Sequence, residues 1–368
     1  MRGDESKPGY MFTYVSPEEM VPAGHPLRVV KDYADEILKS MSSTFNSMYA
    51  KTGRPSIPPE RLLKSMIIMA LYSVRSDRMF CEQLNYNILF RWFLDMSLED
   101  KPFDHSVFSK NRDRLMRHDV SRRLFEKVVD AARRADLLSD EHFSVDGTLI
   151  EAWASMKSFR PKNEDSRDCQ GDDDDPSNPT VDFKGEKRSN TTHESKTDPD
   201  ARLLRKGQGK EAKLCYGFHT LMENRHGLIV DVESTQAGVK VERDAALTML
   251  DRVRLKHERA RLKPPATLGG DKGYHANEFV YELLDRNVKP HIARIAGRDT
   301  PGLDGRTARS AGYRMSQRIR KRIEEIFGWM KTVGGFRKTR FRGLARFGEQ
   351  GLMTAVAYNL MRMSRIMA

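Results

Sequence analysis

The order of periodic segments after about residue 141 limits the fold of this chain more than any other feature. Phe143 and Val145 alternate with Ser144 and Asp146, the two-residue period of a half-buried strand. Residues 213–222 and 228–232 are strand-like runs about Asn224-Arg225-His226-Gly227, which reads as a hairpin. Residues 242–258 follow as a helix, 266–271 as a short strand, 277–285 as a helix and 288–295 as a strand. A basic loop then leads into 316–331. The order is strand, hairpin, helix, strand, helix, strand, helix. In a mixed sheet of that order the first and fourth strands can be central neighbours.

Residues 316–331 read as one helix, with Ser316 as its N-cap. Ile319, Ile323, Ile326, Phe327 and Met330 recur at three- and four-residue steps and form its apolar face. Gln317, Arg320, Glu324 and Lys331 fall on one polar stripe, because steps of four and seven return to nearly the same side. Alone, the stripe fits a solvated face with ordinary ion pairs as well as a phosphate-handling one.

Ahead of residue 136 the chain reads as all-helical. Pro58-Pro59 opens a helix with apolar Leu62, Leu63, Met66, Ile67 and Ala70. Residues 80–93 make a second helical stretch. Asp104 caps a third, 106–116, which carries Lys110, Arg112 and Arg114. Helices followed by a basic helix fit a helix-turn-helix module that presents one helix to DNA, and equally a bundle with a wet basic face. Two domains are therefore expected: a helical N-terminal domain over 1–135 and a mixed-sheet α/β domain over 136–368. Within the second, 155–212 reads as a mobile polar insertion. Its stretch 160–200 holds twelve acidic and seven basic residues, including the run Asp172–Asp175, too polar to order itself by burial. That acid run lacks the spacing of a calcium loop.

The 368 residues are 32% charged with a formal net charge of +12, which favours a polyanionic partner, nucleic acid first. No apolar run is long enough to span a bilayer, and the polar N-terminus has no signal-peptide character. Cys81, Cys169 and Cys215 are odd in number and far apart, so neither a disulfide framework nor a zinc ribbon is expected, and the setting reads as a reducing cytosol.

Three carboxylates carry the candidate chemistry: Asp146 on the first strand, Asp271 at the end of the fourth and Glu324 on the following helix. Three carboxylates without His or Cys suit Mg²⁺ or Mn²⁺. Two such ions can activate an attacking oxygen and stabilise a leaving one in phosphodiester displacement. Glu325 competes with Glu324. Glu324 is preferred because it stands four residues after Arg320 and seven before Lys331, whereas Glu325 is rotated by about 100°.

Val145-Asp146-Gly147-Thr148, Gly270-Asp271-Lys272-Gly273-Tyr274 and Arg320-x-x-x-Glu324-x-x-x-x-x-x-Lys331 resemble, in order, the three signatures of DDE transposases of bacterial insertion sequences. The IS-five family is the nearest group. Its Tyr-Arg-Glu-Lys motif has Gln317 at the tyrosine position here, so no tyrosine role is carried over. Residues 53–61 are similar to that family's N-terminal region. The resemblance implies an RNase H-like catalytic fold with Asp146, Asp271 and Glu324 as ligands for two Mg²⁺ or Mn²⁺ ions. It further implies a bacterial cytoplasmic enzyme, nucleoid-associated when bound, acting as at least a homodimer on double-stranded DNA. It would bind the element's terminal inverted repeats, cleave them and join the 3′-hydroxyl to target DNA. Some relatives carry a large β insertion between the last two acids. The interval from Asp271 to Glu324 leaves no room for one.

Residues 306–346 hold thirteen Lys or Arg against Glu324 and Glu325. Arg320 and Lys331 are assigned to phosphate positioning. Arg337, Lys338, Arg340 and Arg342 are assigned to the DNA backbone, and Lys110, Arg112 and Arg114 to reading of the element ends. A nuclease without strand transfer, or a transposase-derived DNA-binding protein without catalysis, are the alternative readings.

Overall fold

The computed structural model describes residues 16–50, 52–53, 56–162, 182–183, 186–205, 211–238, 240–298 and 300–367. The helical region holds α1 (Leu27–Ser40), α2 (Pro59–Leu71), α3 (His105–Arg117) and α4 (Val120–Arg134). Pro59 opens α2, where its missing N–H is not needed. The five predicted apolar positions of α2 are all buried. Asp104 caps α3, its Oδ1 accepting from Ser106 N at 2.8 Å. The helical stretch expected over 80–93 is two helices, Asp77–Gln83 and Ile88–Phe93. Asn87 starts the second by accepting from Phe90 N at 3.1 Å, which restarts the backbone ladder after a turn.

One sheet follows. Its strands are β1 (His142–Glu151), β2 (Arg202–Arg205), β3 (Ala212–Glu223), β4 (Ile229–Gln236), β5 (Thr267–Gly270) and β6 (Lys289–Ile292). The order is β6-β5-β1-β3-β2, with β4 also on β3. β1, β3 and β4 run as an antiparallel meander, while β5 and β6 lie parallel to β1. With α5 (Val241–Arg259) and α6 (Asn277–Asp285) as crossovers, this is the expected RNase H-like arrangement. The hairpin, both crossover helices and the central pairing of the first and fourth predicted strands stand as expected.

The segment 316–331 differs from its reading. It spans the end of α7 (Ala311–Ile319) and most of α8 (Arg322–Thr332). Ser316 lies inside α7, with its Oγ 2.7 Å from His291 Nδ1, and Ser310 is the cap. At the junction the ladder tightens to three-residue bonds, Ile323 N to Arg320 O and Glu324 N to Lys321 O, both 3.1 Å.

The flanks of the predicted insertion are built into the body. β2 pairs with β3, and Phe159–Pro161 pairs with His193–Ser195. Asp198 Oδ1 accepts from Tyr216 Oη (2.6 Å) and Gly343 N (3.1 Å), and Asp200 Oδ2 from Leu344 N (2.9 Å). Polar residues order these flanks by hydrogen bonding to the neighbouring chain, which composition does not register. The acid run Asp172–Asp175 lies outside the described residues.

The last helix, α9 (Leu344–Met367), has no counterpart in the reading above. It is buried from Phe347 through Leu360, except for a half-buried Gly348, and packs on α1, α2, α4 and β4. Asn359 clasps Ile229, accepting from its N at 2.9 Å and donating to its O at 2.8 Å. Residues on both sides of position 135 consequently share one hydrophobic core.

Gly351 tests this packing, because a Cβ there would overlap the Phe218 ring. Gly351→Ala should destabilise by about 1–3 kcal/mol. Gly328→Ala, in α8 with nothing within 4 Å, should be neutral or stabilising by up to about 1 kcal/mol. Urea midpoints at constant slope measure both, and equal midpoints for the two variants would contradict the packing of α9 on β3.

Candidate catalytic site and DNA-facing surface

β1 and β5 share three rungs, the last being Ser144 with Gly269. Asp146 and Asp271 each stand two residues beyond that rung, so they leave adjacent strands at the same level. Asp146 Oδ1 accepts from Gly147 N at 2.8 Å. Asp271 Oδ1 accepts from Gly273 N at 2.7 Å and caps the turn Lys272–Tyr274. Burial pushes the Asp146 carboxyl up to about 7; Asp271 and Glu242 raise it further, while the Gly147 N–H and Arg320 oppose them.

Glu242 was not singled out in the sequence. It lies in the first turn of α5, and its own carboxyl is raised by burial and then by Asp271. Its Cγ is 3.4 Å from where a Cβ on Gly147 would sit. An acidic first turn is ordinary helix chemistry, and only the crossover of α5 brings it to the aspartates. Three buried polar atoms nearby have no hydrogen-bond partner: Thr220 Oγ1, His219 Nδ1 and Tyr274 Oη. Thr220 is directly across from Asp146 and His219 across from Gly147. Burial holds His219 down to about 4, so its ring is neutral. Tyr274 feels the charges of Asp146, Glu242 and Asp271 together.

Arg243 acts on Glu242, and Arg320 is the cation that acts on Asp146. Its Nε donates to Gln317 Oε1 at 3.0 Å, and Gln317 Nε2 donates to His291 O on β6. Gln317, the departure from the motif, thus anchors Arg320 to the sheet. Gly269 leaves the room, since a Cβ there would meet Ser144 Oγ at 3.0 Å and Arg320 Cβ at 3.8 Å. At the other end of the stripe Lys331 Nζ donates to Thr148 Oγ1 at 2.5 Å. Glu324 lies on α8 between these two contacts and is exposed, as is Glu325. The carboxylates and the unpartnered Thr220 hydroxyl are hard oxygen donors of the type that suits Mg²⁺ or Mn²⁺. Among the described residues no group of three or more His, Cys, Asp or Glu is placed to hold a metal ion.

The basic residues divide. Arg337, Lys338, Arg342 and Lys110 are exposed. Arg340 instead turns inward, its Nη1 donating to Val74 O at 2.7 Å, and burial lowers it to about 10. Arg112 pairs with Asp77 at 2.6 Å and lies 4.5 Å from the Phe341 ring centroid. Arg114 stands over Tyr49 at 5.0 Å. Asp113 of the same helix pairs with Arg346 at 2.8 Å. Arg340, assigned to the DNA backbone, and Arg112, assigned to reading of the element ends, thus each hold a contact between the two regions, Arg340 with Val74 and Arg112 with Phe341. Charge alone does not distinguish the two uses.

The chain matches two family models: a transposase domain (DUF772) over residues 15–114 and a transposase DDE domain over 188–360. Asp271, Glu324 and Lys331 fall within the second match, while Asp146 precedes it. Solved structures similar to it include the piggyBac transposase synaptic complex with hairpin DNA, at 11% identity and TM-score 0.41 over 92% of this chain and 75% of that one. The pre-cleavage Mos1 transpososome is matched at 11% identity and TM-score 0.21 over 89% and 87%. The Mos1 mariner paired end complex with Mn is matched at 12% and 0.21 over 94% and 87%. Fold and site together define an RNase H-like α/β protein with a helical N-terminal region. The match to a transposase domain model, followed by the match to a transposase DDE domain model, supports a DDE transposase. No helix of the described residues is long and apolar enough to cross a membrane.

The raised Asp146 carboxyl predicts a measurable pH effect. Its folded value, about 7, exceeds the ordinary 3.8, so folding takes up a proton between those values and stability falls as pH rises from about 4 to about 7. At pH 8 in a chelator, Asp146→Asn should be more stable than wild type by on the order of 1–3 kcal/mol, with the difference vanishing below about pH 4. Mg²⁺ or Mn²⁺ should raise the wild-type midpoint and leave the variant unmoved. Equal midpoints at pH 8 would remove the repulsion inferred here.

Proposed function

We propose that this chain is the DDE transposase of a bacterial insertion sequence of the IS-five type. It binds the terminal inverted repeats of its element, cleaves them and joins the freed end to target DNA. The observation that carries this reading is the placement of Asp146, within β1, and Asp271, just past the end of β5, side by side on adjacent parallel strands, beside Arg320 and a stripe that ends at Lys331. In the first step a water oxygen bonds to phosphorus as the P–O3′ bond breaks, leaving a 5′-phosphate and a 3′-hydroxyl. In the second that 3′-hydroxyl bonds to a target phosphorus and releases a target 3′-hydroxyl, so no external energy source is needed. Divalent cations, Mg²⁺ or Mn²⁺, would be held by Asp146 and Asp271 with Glu324 joining from α8, and supply activation of the attacking oxygen and neutralisation of the leaving one. Arg320 and Lys331 orient the phosphate. Two element ends meet in one reaction, which calls for at least a homodimer acting in the cytoplasm at the nucleoid.

Asp146→Asn, Asp271→Asn and Glu324→Gln should each abolish strand cleavage in Mg²⁺ while leaving gel-shift binding of element ends nearly unchanged. Glu325→Gln should cut normally. Retained cutting in any of the first three would remove that residue from the site.

Neutralising Arg337, Lys338 and Arg342 together should flatten the dependence of log affinity on log salt by up to about three units, because each phosphate contact contributes about −0.9. Specific and random DNA should suffer alike. An unchanged slope in a salt titration would place the DNA elsewhere on the surface.

A further inference from the structure

β1 continues past the carboxylates to Glu151, and two residues later Trp153 stands 51% exposed. Of the three tryptophans, Trp92 is buried and Trp329 packs on the Tyr358 ring at 5.5 Å. Trp153 alone presents its ring so openly. Its setting is built by the backbone: Glu151 N donates to Arg337 O at 3.1 Å, and Thr339 N donates to Glu151 O at 2.8 Å. These bonds lay residues 337–339 beside the end of β1 and put Lys338 Nζ 5.8 Å from the indole centroid. Trp153, Lys331, Arg337 and Lys338 line one groove of about 790 Å³, whose lining also includes Arg75 of the helical region.

Lys331 links the groove to the candidate catalytic site. Lys331 touches Thr148, two residues beyond Asp146 on the same face of β1. From Asp146 to Trp153 is seven residues, at most about 23 Å of extended chain. Cations along such a path suit a phosphate backbone, and an exposed indole suits the face of a nucleobase. Within a duplex both faces of each base are covered by its neighbours, so an indole finds a free face only where a strand is unpaired or ends.

We propose that Trp153 is a stacking platform for an unpaired nucleobase of the DNA strand that leads away from Asp146 and Asp271, with Arg337 and Lys338 on its phosphates. The proposal rests on the DNA reading given above. It adds a subsite for single-stranded DNA next to one for duplex.

The full-length protein, its W153A and W153F variants, and fluorescently labelled DNA test it. The probes are a blunt duplex and the same duplex with unpaired flanks of two to ten nucleotides, read by anisotropy at fixed salt. Wild type should bind flanked DNA roughly ten-fold more tightly than blunt DNA. W153A should lose that preference and keep its blunt-duplex affinity, and W153F should recover most of it. Tryptophan emission of the wild type should be quenched by flanked DNA more than that of W153F. Equal affinities of wild type for blunt and flanked DNA would overturn the subsite while leaving the DNA reading in place. So would an unaltered preference in W153A, which would make the indole a contact for another protein. Failure of wild type to bind either DNA would overturn both.

Discussion

The burial of α9 is the constraint on which the rest of the structure depends. A helix apolar around most of its circumference must be enclosed, and here α1, α2 and α4 cover one side while β4 covers another. The helical region and the sheet are thereby held as walls of one interior. The basic loop between α8 and α9 inherits its shape from this arrangement. Ser73 Oγ donates to Val333 O and Arg340 to Val74 O, while Asp198 and Asp200 accept from the backbone where α9 begins. Arg337, Lys338 and Arg342 face outward because their neighbours in sequence are tied inward at both ends.

The carboxylate cluster is the electrostatic counterpart of that packing. Burial, and after it the charge of Asp271, raises the cost of ionising Asp146 and Glu242. A structure made only for stability would replace such a group with a hydrogen-bonded or apolar one. Arg320 gives partial relief, and its position depends on Gln317 reaching the carbonyl of His291. The tightened junction between α7 and α8 lies at Arg320, so the break in the helix and the placement of the cation coincide. Perturbed ionisation gathered where two neighbouring strands carry Asp146 and Asp271 is the pattern expected of a working site.

Much of this was legible in residues read in order. The helix Asn277–Asp285, the hairpin about 224–227, the cap at Asp104 and the helix start at Pro59 follow from neighbours within four positions, where period and turn chemistry decide. The pairing of β1 with β5 followed from the order of segments, because few sheet topologies accommodate it. The local rule failed where a partner distant in sequence decided. Residues 316–331 keep a helical period across a junction that period cannot reveal. The flanks of the polar insertion are ordered by hydrogen bonds to β3 and to the start of α9.

The sequence by itself determined the element order, the mixed sheet that sets Asp146 and Asp271 on neighbouring strands and the excess of positive charge near the C-terminus. These rest on periodicity, topology and composition, which are properties of the chain in order. Only the tertiary structure decided which cations face solvent. Arg112 and Arg340 are indistinguishable in sequence from Lys110 and Arg342, yet the first two neutralise and pack the junction between regions. The tertiary structure also brought Glu242 to the aspartates and left Glu324 in the open, because the approach of a carboxylate depends on how two distant helices cross one sheet.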